Sequence, residues 1–113
     1  MNNGATSKIA ELNDLCRKTL GLAGAGRVLQ TSGIRALAAE DQSRIRELVE
    51  KFDNFAPEND PYGEHDFGAI EHNGCRVFWK IDYYDKSMTQ GSADPADPTQ
   101  TVRVLTIMLA SEY

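Results

Sequence analysis

The dipeptide Asn73-Gly74 constrains this chain more than any other pair of residues. It stands between two runs of strand character, GEHDFGAIEH before it and CRVFWKIDYY after it. Asn and Gly both tolerate the positive φ that a type I′ turn demands, so the runs are expected to fold back as an antiparallel hairpin. A two-residue turn also fixes the register. His72 then faces Cys75, Glu71 faces Arg76, Ile70 faces Val77, Ala69 faces Phe78, Gly68 faces Trp79 and Phe67 faces Lys80. Counting on, Asp66 faces Ile81, His65 faces Asp82 and Glu64 faces Tyr83. Residues directly opposite share a face. One face therefore holds Ile70, Val77, Trp79 and Ile81, with Gly68 leaving room for the indole, and it should meet helices. The other pairs Glu71 with Arg76, Phe67 with Lys80 and His65 with Asp82. A slip by one residue would exchange the faces of one strand and spoil these pairs. The expected result is a polar cluster of His65, Lys80, Asp82 and Tyr84 on one sheet face, with Glu64 and Asp66 near the rim of the other.

The rest of the chain supplies helices and two further strands. Ile9, Leu12, Cys16 and Leu20 recur at helical spacing, with Leu15 beside them, Ser7 as an N-cap and Gly21 as a stop. Residues 1–6 read as a frayed tail. GLAGAG, residues 21–26, invites a phosphate-loop reading, but such a loop needs a strand before it and a helix after it. Here the order is reversed, with Arg27–Thr31 as the following strand, so the glycines read as a connector. Ile45, Leu48, Val49 and Phe52 form one apolar stripe of a second helix. Glu40 and Asp41 lie near its positive end, and Arg44, Arg46, Glu47, Glu50 and Lys51 make a solvated face. Asn54 to Gly63 is turn chemistry. Residues 86–101 form a second polar loop, longer than connections without a task usually are. Val102–Tyr113 is a strand with apolar residues on both alternating faces, as expected of a strand covered on both sides. The order helix, strand, helix, strand, strand, strand predicts one α+β domain over residues 1–113. Its small antiparallel sheet comprises the hairpin, the C-terminal strand and one N-terminal strand, with two helices packed on one face.

Charge narrows the function. The net charge is −5, and no cluster of Lys and Arg exists to displace counterions from nucleic acid, so no direct nucleic-acid binding is expected. The acidic surface suits a partner with a basic groove, including a nucleic-acid-binding enzyme. The two cysteines, Cys16 and Cys75, are too few for a disulfide framework and too far apart for a zinc motif, so both read as reduced core residues. MNNGATSKIAEL lacks the basic start and apolar run of a signal peptide, and no stretch is long enough to span a bilayer. A cytoplasmic protein with no membrane association is expected.

Few residues carry reactive chemistry. A histidine oriented by a carboxylate can act as a general base, which makes His65 and Asp82 the catalytic candidates. Ser87 and Ser92 are possible nucleophiles, but no elbow motif surrounds them. Asp60, Glu64, His65 and Asp66 offer hard metal ligands, with Asp60 and Glu64 the first choice. His65 and His72 differ by an odd number and so point to opposite faces of a strand. The structural account of the same residues is cross-strand pairs plus turn acids that fix the hairpin. The third account is a partner-binding surface of His65, Lys80, Asp82, Tyr84 and Asp85. An RNA-binding sheet would back its aromatics with more basic residues than Arg76 and Lys80, so Trp79 and Tyr83 are expected in the core. No cofactor is expected.

With FDNFAPENDPYG, EHDFG, WKIDYYD and RVLTIMLASEY in view, the chain resembles the bacterial family known as domain of unknown function 3768, over about residues 26–113. The resemblance implies no established activity. It implies a small cytoplasmic protein of alphaproteobacteria, often plasmid-borne, and hence an accessory role in defence, counter-defence or plasmid maintenance. The leading expectation is a non-enzymatic binding protein of a mobile element. By analogy with inhibitors of restriction or CRISPR enzymes, it would act on a host or phage protein. The rival is a small metal-dependent hydrolase or nuclease using His65 and Asp82. A third reading is a subunit that self-assembles through an exposed strand edge at the C-terminal strand.

Overall fold

The computed structural model describes residues 3–113. Helix α1 spans Asn3–Thr19, and strand β1 spans Arg27–Gln30. A short helix α2 (Ser32–Arg35) and a longer helix α3 (Ala39–Glu50) follow. The hairpin is β2 (Phe67–His72) and β3 (Cys75–Tyr84), and β4 is Val102–Leu109. A single turn of 3-10 helix, Ala110–Glu112, ends the chain. The expected tail falls partly on residues 1–2, outside the described residues. Residues 3–6 are the first turn of α1, so Ser7 lies inside the helix and not at its cap.

The fold is α+β, and the hairpin forms in the register that the turn dictates. All six pairs from His72 opposite Cys75 to Phe67 opposite Lys80 are present. The sheet is mixed, a correction to the antiparallel expectation. Its order is β1-β4-β3-β2, and β1 runs parallel to β4 from Arg27 opposite Val104 to Gln30 opposite Ile107. A tight turn decides only the pairing of the strands it joins. A parallel pair needs a long crossover, which α2, α3 and the hairpin together supply. The C-terminal strand is therefore internal, and the free edges belong to β1 and β2. Burial on both sides of β4 follows: Leu105 and Ile107 are fully buried on one face, and Val104 and Met108 are 4% exposed on the other.

One face of the sheet carries the core. Val77, Trp79, Ile81, Leu105 and Ile107 cluster with Cys16 of α1, Ile34 of α2 and Ile45 and Val49 of α3. Phe52 and Phe55 stand edge-on to the Trp79 indole, at 5.4 and 6.2 Å between ring centres. Gly68 is the contact on which this depends. A Cβ there would lie 2.4 Å from Trp79 Nε1 and 2.8 Å from Phe52 Cζ. Cys75 lies on the same alternation but flanks the turn, past Val77, the last core residue of its strand. It is exposed, not buried as expected.

The glycines of residues 21–26 serve packing. Gly21 takes φ 77° and donates its amide to the Cys16 carbonyl at 3.0 Å, closing α1. At Gly26, a Cβ would lie 2.7 Å from Cys16 Sγ and 2.9 Å from the Arg103 carbonyl oxygen. At Gly26 the connector passes too close to α1 and β4 for a side chain, whereas a Cβ at Gly24 would meet nothing within 4 Å. Farther on, the Glu112 carboxylate accepts from the Thr31 hydroxyl at 2.6 Å, the Gly33 amide at 3.0 Å and the Leu109 amide at 2.8 Å. These bonds tie the end of the sheet to α2 and hold the Glu112 pKa below its usual value.

Candidate functional site

The stretch from Asp60 to Phe67 makes a sharper turn than a strand entry requires. His65 has φ 57°, a left-handed conformation uncommon for a residue with a side chain. The Asp66 carbonyl still accepts from the Ile81 amide at 2.8 Å, but the ladder ends there. His65 leaves the sheet and turns towards α1. Its Nδ1 lies 3.0 and 3.2 Å from the two carboxylate oxygens of Asp14. Its Nε2 lies 3.7 Å from Asp60 Oδ2, and its backbone amide donates to Asp60 Oδ1 at 3.1 Å. Its ring stacks flat on Phe55 at 3.9 Å. The expected pairing of His65 with Asp82 is thus corrected, because the register that would have aligned them stops before His65.

Asp82 pairs instead with Lys80, two residues away on the same strand face, at 3.0 Å. The Asp82 carboxylate raises the Lys80 pKa. Both side chains remain more than a third exposed. They stand on the sheet face turned away from the core. Phe67, Phe78 and Tyr113 lie on that face as a second aromatic cluster, with ring centres 5.1 to 6.1 Å apart. Tyr84 follows on the same alternation, half-buried. Leu29 of β1, opposite Thr106, is 55% exposed. Cys16 of α1, Ile34 of α2 and Ile45 and Val49 of α3 pack on the opposite face, whereas Tyr113, after the C-terminal turn, reaches this one.

The remaining candidates are engaged locally. Asp85 accepts from the Thr89 amide at 3.0 Å and the Ser87 hydroxyl at 3.0 Å, which shape the start of the long loop and lower its pKa. Ser92 shares a hydrogen bond of 2.7 Å with Thr101. Among the described residues, neither Ser87 nor Ser92 has a histidine as a partner. With Asp94 and Asp97 accepting from the amides of Ala96 and Thr99, the loop is closed by its own side chains. Asp60 holds the His65 backbone, and Glu64 accepts from the Tyr83 hydroxyl at 2.9 Å. Among the described residues, no group of three or more His, Cys, Asp or Glu side chains converges as a metal site would. His72 Nε2 meets Asp41 Oδ1 at 2.8 Å, pinning the hairpin to the first turn of α3.

Sequence reasoning missed the buried polar network beneath α1. Asn13 is fully buried and Arg17 is 1% exposed, at helical spacing from Ile9 and Cys16. The Asn13 amide donates to the Tyr83 hydroxyl at 2.8 Å and the Glu64 carbonyl at 3.0 Å. Its oxygen accepts from Arg103 Nε at 2.7 Å. Burial pushes the Tyr83 pKa far above its usual value, so the phenol stays protonated and donates to Glu64. Arg17 donates to Asp14 at 2.9 Å and to the Phe52 carbonyl at 3.0 Å, with its guanidinium 5.3 Å from the ring centres of Phe55 and Trp79. The only signal available was the spacing of Asn13 and Arg17 on the Ile9–Cys16 side of the helix.

Burial, with help from the Glu64, Asp60 and Asp82 charges, raises the pKa of half-buried Asp66. An acid with a raised folded pKa binds its proton more tightly when folded. Its charge therefore weakens the fold above that pKa, and the loss is recovered as pH falls through it. Asp66→Asn should raise Tm by about 2–4 °C at pH 7, with a smaller gain at pH 4. Thermal melts showing the same gain at both pH values would contradict this.

No helix among the described residues is long and apolar enough to cross a membrane. No curated protein and no solved structure matches the chain. A family model described as a protein of unknown function (DUF3768) matches residues 30–112, from the last residue of β1 to the C-terminal turn, and the chain belongs to that family.

Proposed function

We propose that this protein is a non-enzymatic binding protein that docks a partner protein on the sheet face left open by its helices. The observation that carries this reading is the Phe67–Phe78–Tyr113 cluster beside the exposed Lys80–Asp82 pair. Aromatic side chains next to adaptable charges make a typical interface centre with its polar rim. The net charge of −5 favours a partner with a basic rim, such as an enzyme that grips nucleic acid. An inhibitor of such an enzyme, carried on a mobile element and acting in the cytoplasm, is the form this reading takes. The alternative, a small metal-dependent hydrolase or nuclease using His65 and Asp82, would have to use the two residues apart, since His65 engages Asp14 and Asp82 engages Lys80.

The test is a charge swap, Lys80→Glu with Asp82→Lys, which keeps an ion pair on the face but inverts its pattern. The unaltered protein should capture one stoichiometric partner from host lysate. The swap should weaken capture at least ~10-fold, the effect of about 1.4 kcal/mol of misplaced charge. A second swap on the solvated face of α3, Arg44→Glu with Glu47→Arg, should leave capture unchanged. Equal capture by all three proteins at equal Tm would place the interface elsewhere.

A further inference from the structure

A cavity of about 400 Å³ opens between α1, the connector into β1 and the 86–101 loop. Leu12, Leu15 and Pro98 give it apolar walls, and Arg27, Lys86 and Arg103 also line it. Among the described residues no acid lines it, in a chain whose acids outnumber its Lys and Arg by 17 to 12. Among the described residues, none of the three cations forms an ion pair with a carboxylate. Lys86 acts on Asp97 only through the longer-range field.

Arg103 is the telling member, being 4% exposed. Its head is held by the Asn13 side-chain oxygen, the Pro95 carbonyl and the face of the Tyr83 ring at 5.3 Å. All three partners are neutral. Glu64 acts on Arg103 through the longer-range field, but among the described residues no carboxylate contacts it. A desolvated cation without a contacting counter-charge is unfavourable, and an anion reaching it gains more than it would in water. Leu15 is 52% exposed, an apolar side chain that the fold leaves uncovered at the rim of this cavity. The volume falls within the range of small-molecule sites, which pair apolar walls with a few placed polar groups.

We infer that this cavity binds a small organic anion, with a carboxylate or phosphate head directed to Arg27, Lys86 and Arg103 and a compact apolar body against Leu12, Leu15 and Pro98. The site does not depend on the docking face. Its test uses the isolated protein, so failure of either reading leaves the other standing.

The experiment is an amide NMR titration with octanoate and, in a parallel arm, octyl phosphate. 1-Octanol supplies the body without the charge, and inorganic phosphate the charge without the body. The expected result is saturable shifts at Leu15, Gly24, Gly26 and Thr101 with at least one of the two amphipathic anions, the tighter of which identifies the head. Octanol and inorganic phosphate should each bind at least tenfold more weakly. Arg27→Glu and Lys86→Glu, both at exposed positions, should each weaken binding at least tenfold while the rest of the spectrum stays in place. Absence of saturable shifts with both anions, octanol binding as tightly as they do, or unchanged affinity in both variants would overturn the inference.

Discussion

Asn13→Ala should lower the stability of the domain by about 3 kcal/mol, because it strips several partners at once inside a dry region. The Asn13 side chain joins Arg103 Nε, the Tyr83 hydroxyl and the Glu64 carbonyl. Removing one bond between exposed groups would cost little. Here the variant leaves a guanidinium, 4% exposed, without the acceptor for its Nε, and a cavity where a fully buried side chain stood. The expected fall in Tm is roughly 12–18 °C for a domain of this size. A double-mutant cycle with Arg103→Met separates the two costs. With the charge gone, Asn13→Ala should cost at least about 1 kcal/mol less than it does in the unaltered protein. If Asn13→Ala costs under about 1 kcal/mol on its own, the network is solvated and the account given for it is wrong.

This network also shows why only part of the molecule was legible in its sequence. The hairpin was readable because its information is local: Asn73-Gly74 sets the turn, and alternation carries the register outward. The stripe of α3 was readable for the same reason, since Ile45 and Val49 are apolar and both are fully buried. In α1 the rule that polar residues face water fails. The helix is turned so that Asn13 and Arg17 go inward while Leu15 goes outward, and only distant partners such as Tyr83 and Arg103 make that orientation favourable.

The candidate site was misread at one backbone angle. Extrapolating the register past Phe67 assumed extended residues, and His65 breaks that assumption with φ 57°. EHDFG does not mark the break: histidine is several-fold enriched in the left-handed region, but even so it adopts it in only a minority of cases. What holds it there is tertiary: the Asp60 carboxylate on its amide, Asp14 on its ring and Phe55 beneath it. Lys80, Asp82 and Tyr84, all within the continuous strand, do share the expected face. The parallel pairing of β1 with β4 lay out of reach for a related reason. It joins residues separated by most of the chain, and no local pattern encodes it.

Gly68→Ala should cost about 2–3 kcal/mol, the upper range for forcing one carbon into a packed core. The site has no strained backbone angle to blame, so the effect isolates sterics. A methyl there would lie 2.4 Å from Trp79 Nε1, 2.7 Å from Trp79 Cε2 and 2.8 Å from Phe52 Cζ, all well inside contact distance. Neither ring can retreat easily, because Trp79 is fully buried and Phe52 packs edge-on against both it and Phe55. Trp79→Phe removes the two nearest atoms. It also removes a buried N–H that has no acceptor among the described residues, which offsets part of the cavity it leaves. The double variant Gly68→Ala/Trp79→Phe should therefore lose about 1–2 kcal/mol less than the sum of the two single variants. Urea unfolding of the four proteins measures this directly. Additive losses would mean that the Gly68 methyl is accommodated by the strand itself, and that the close approach of glycine and indole does not fix the depth at which Trp79 sits.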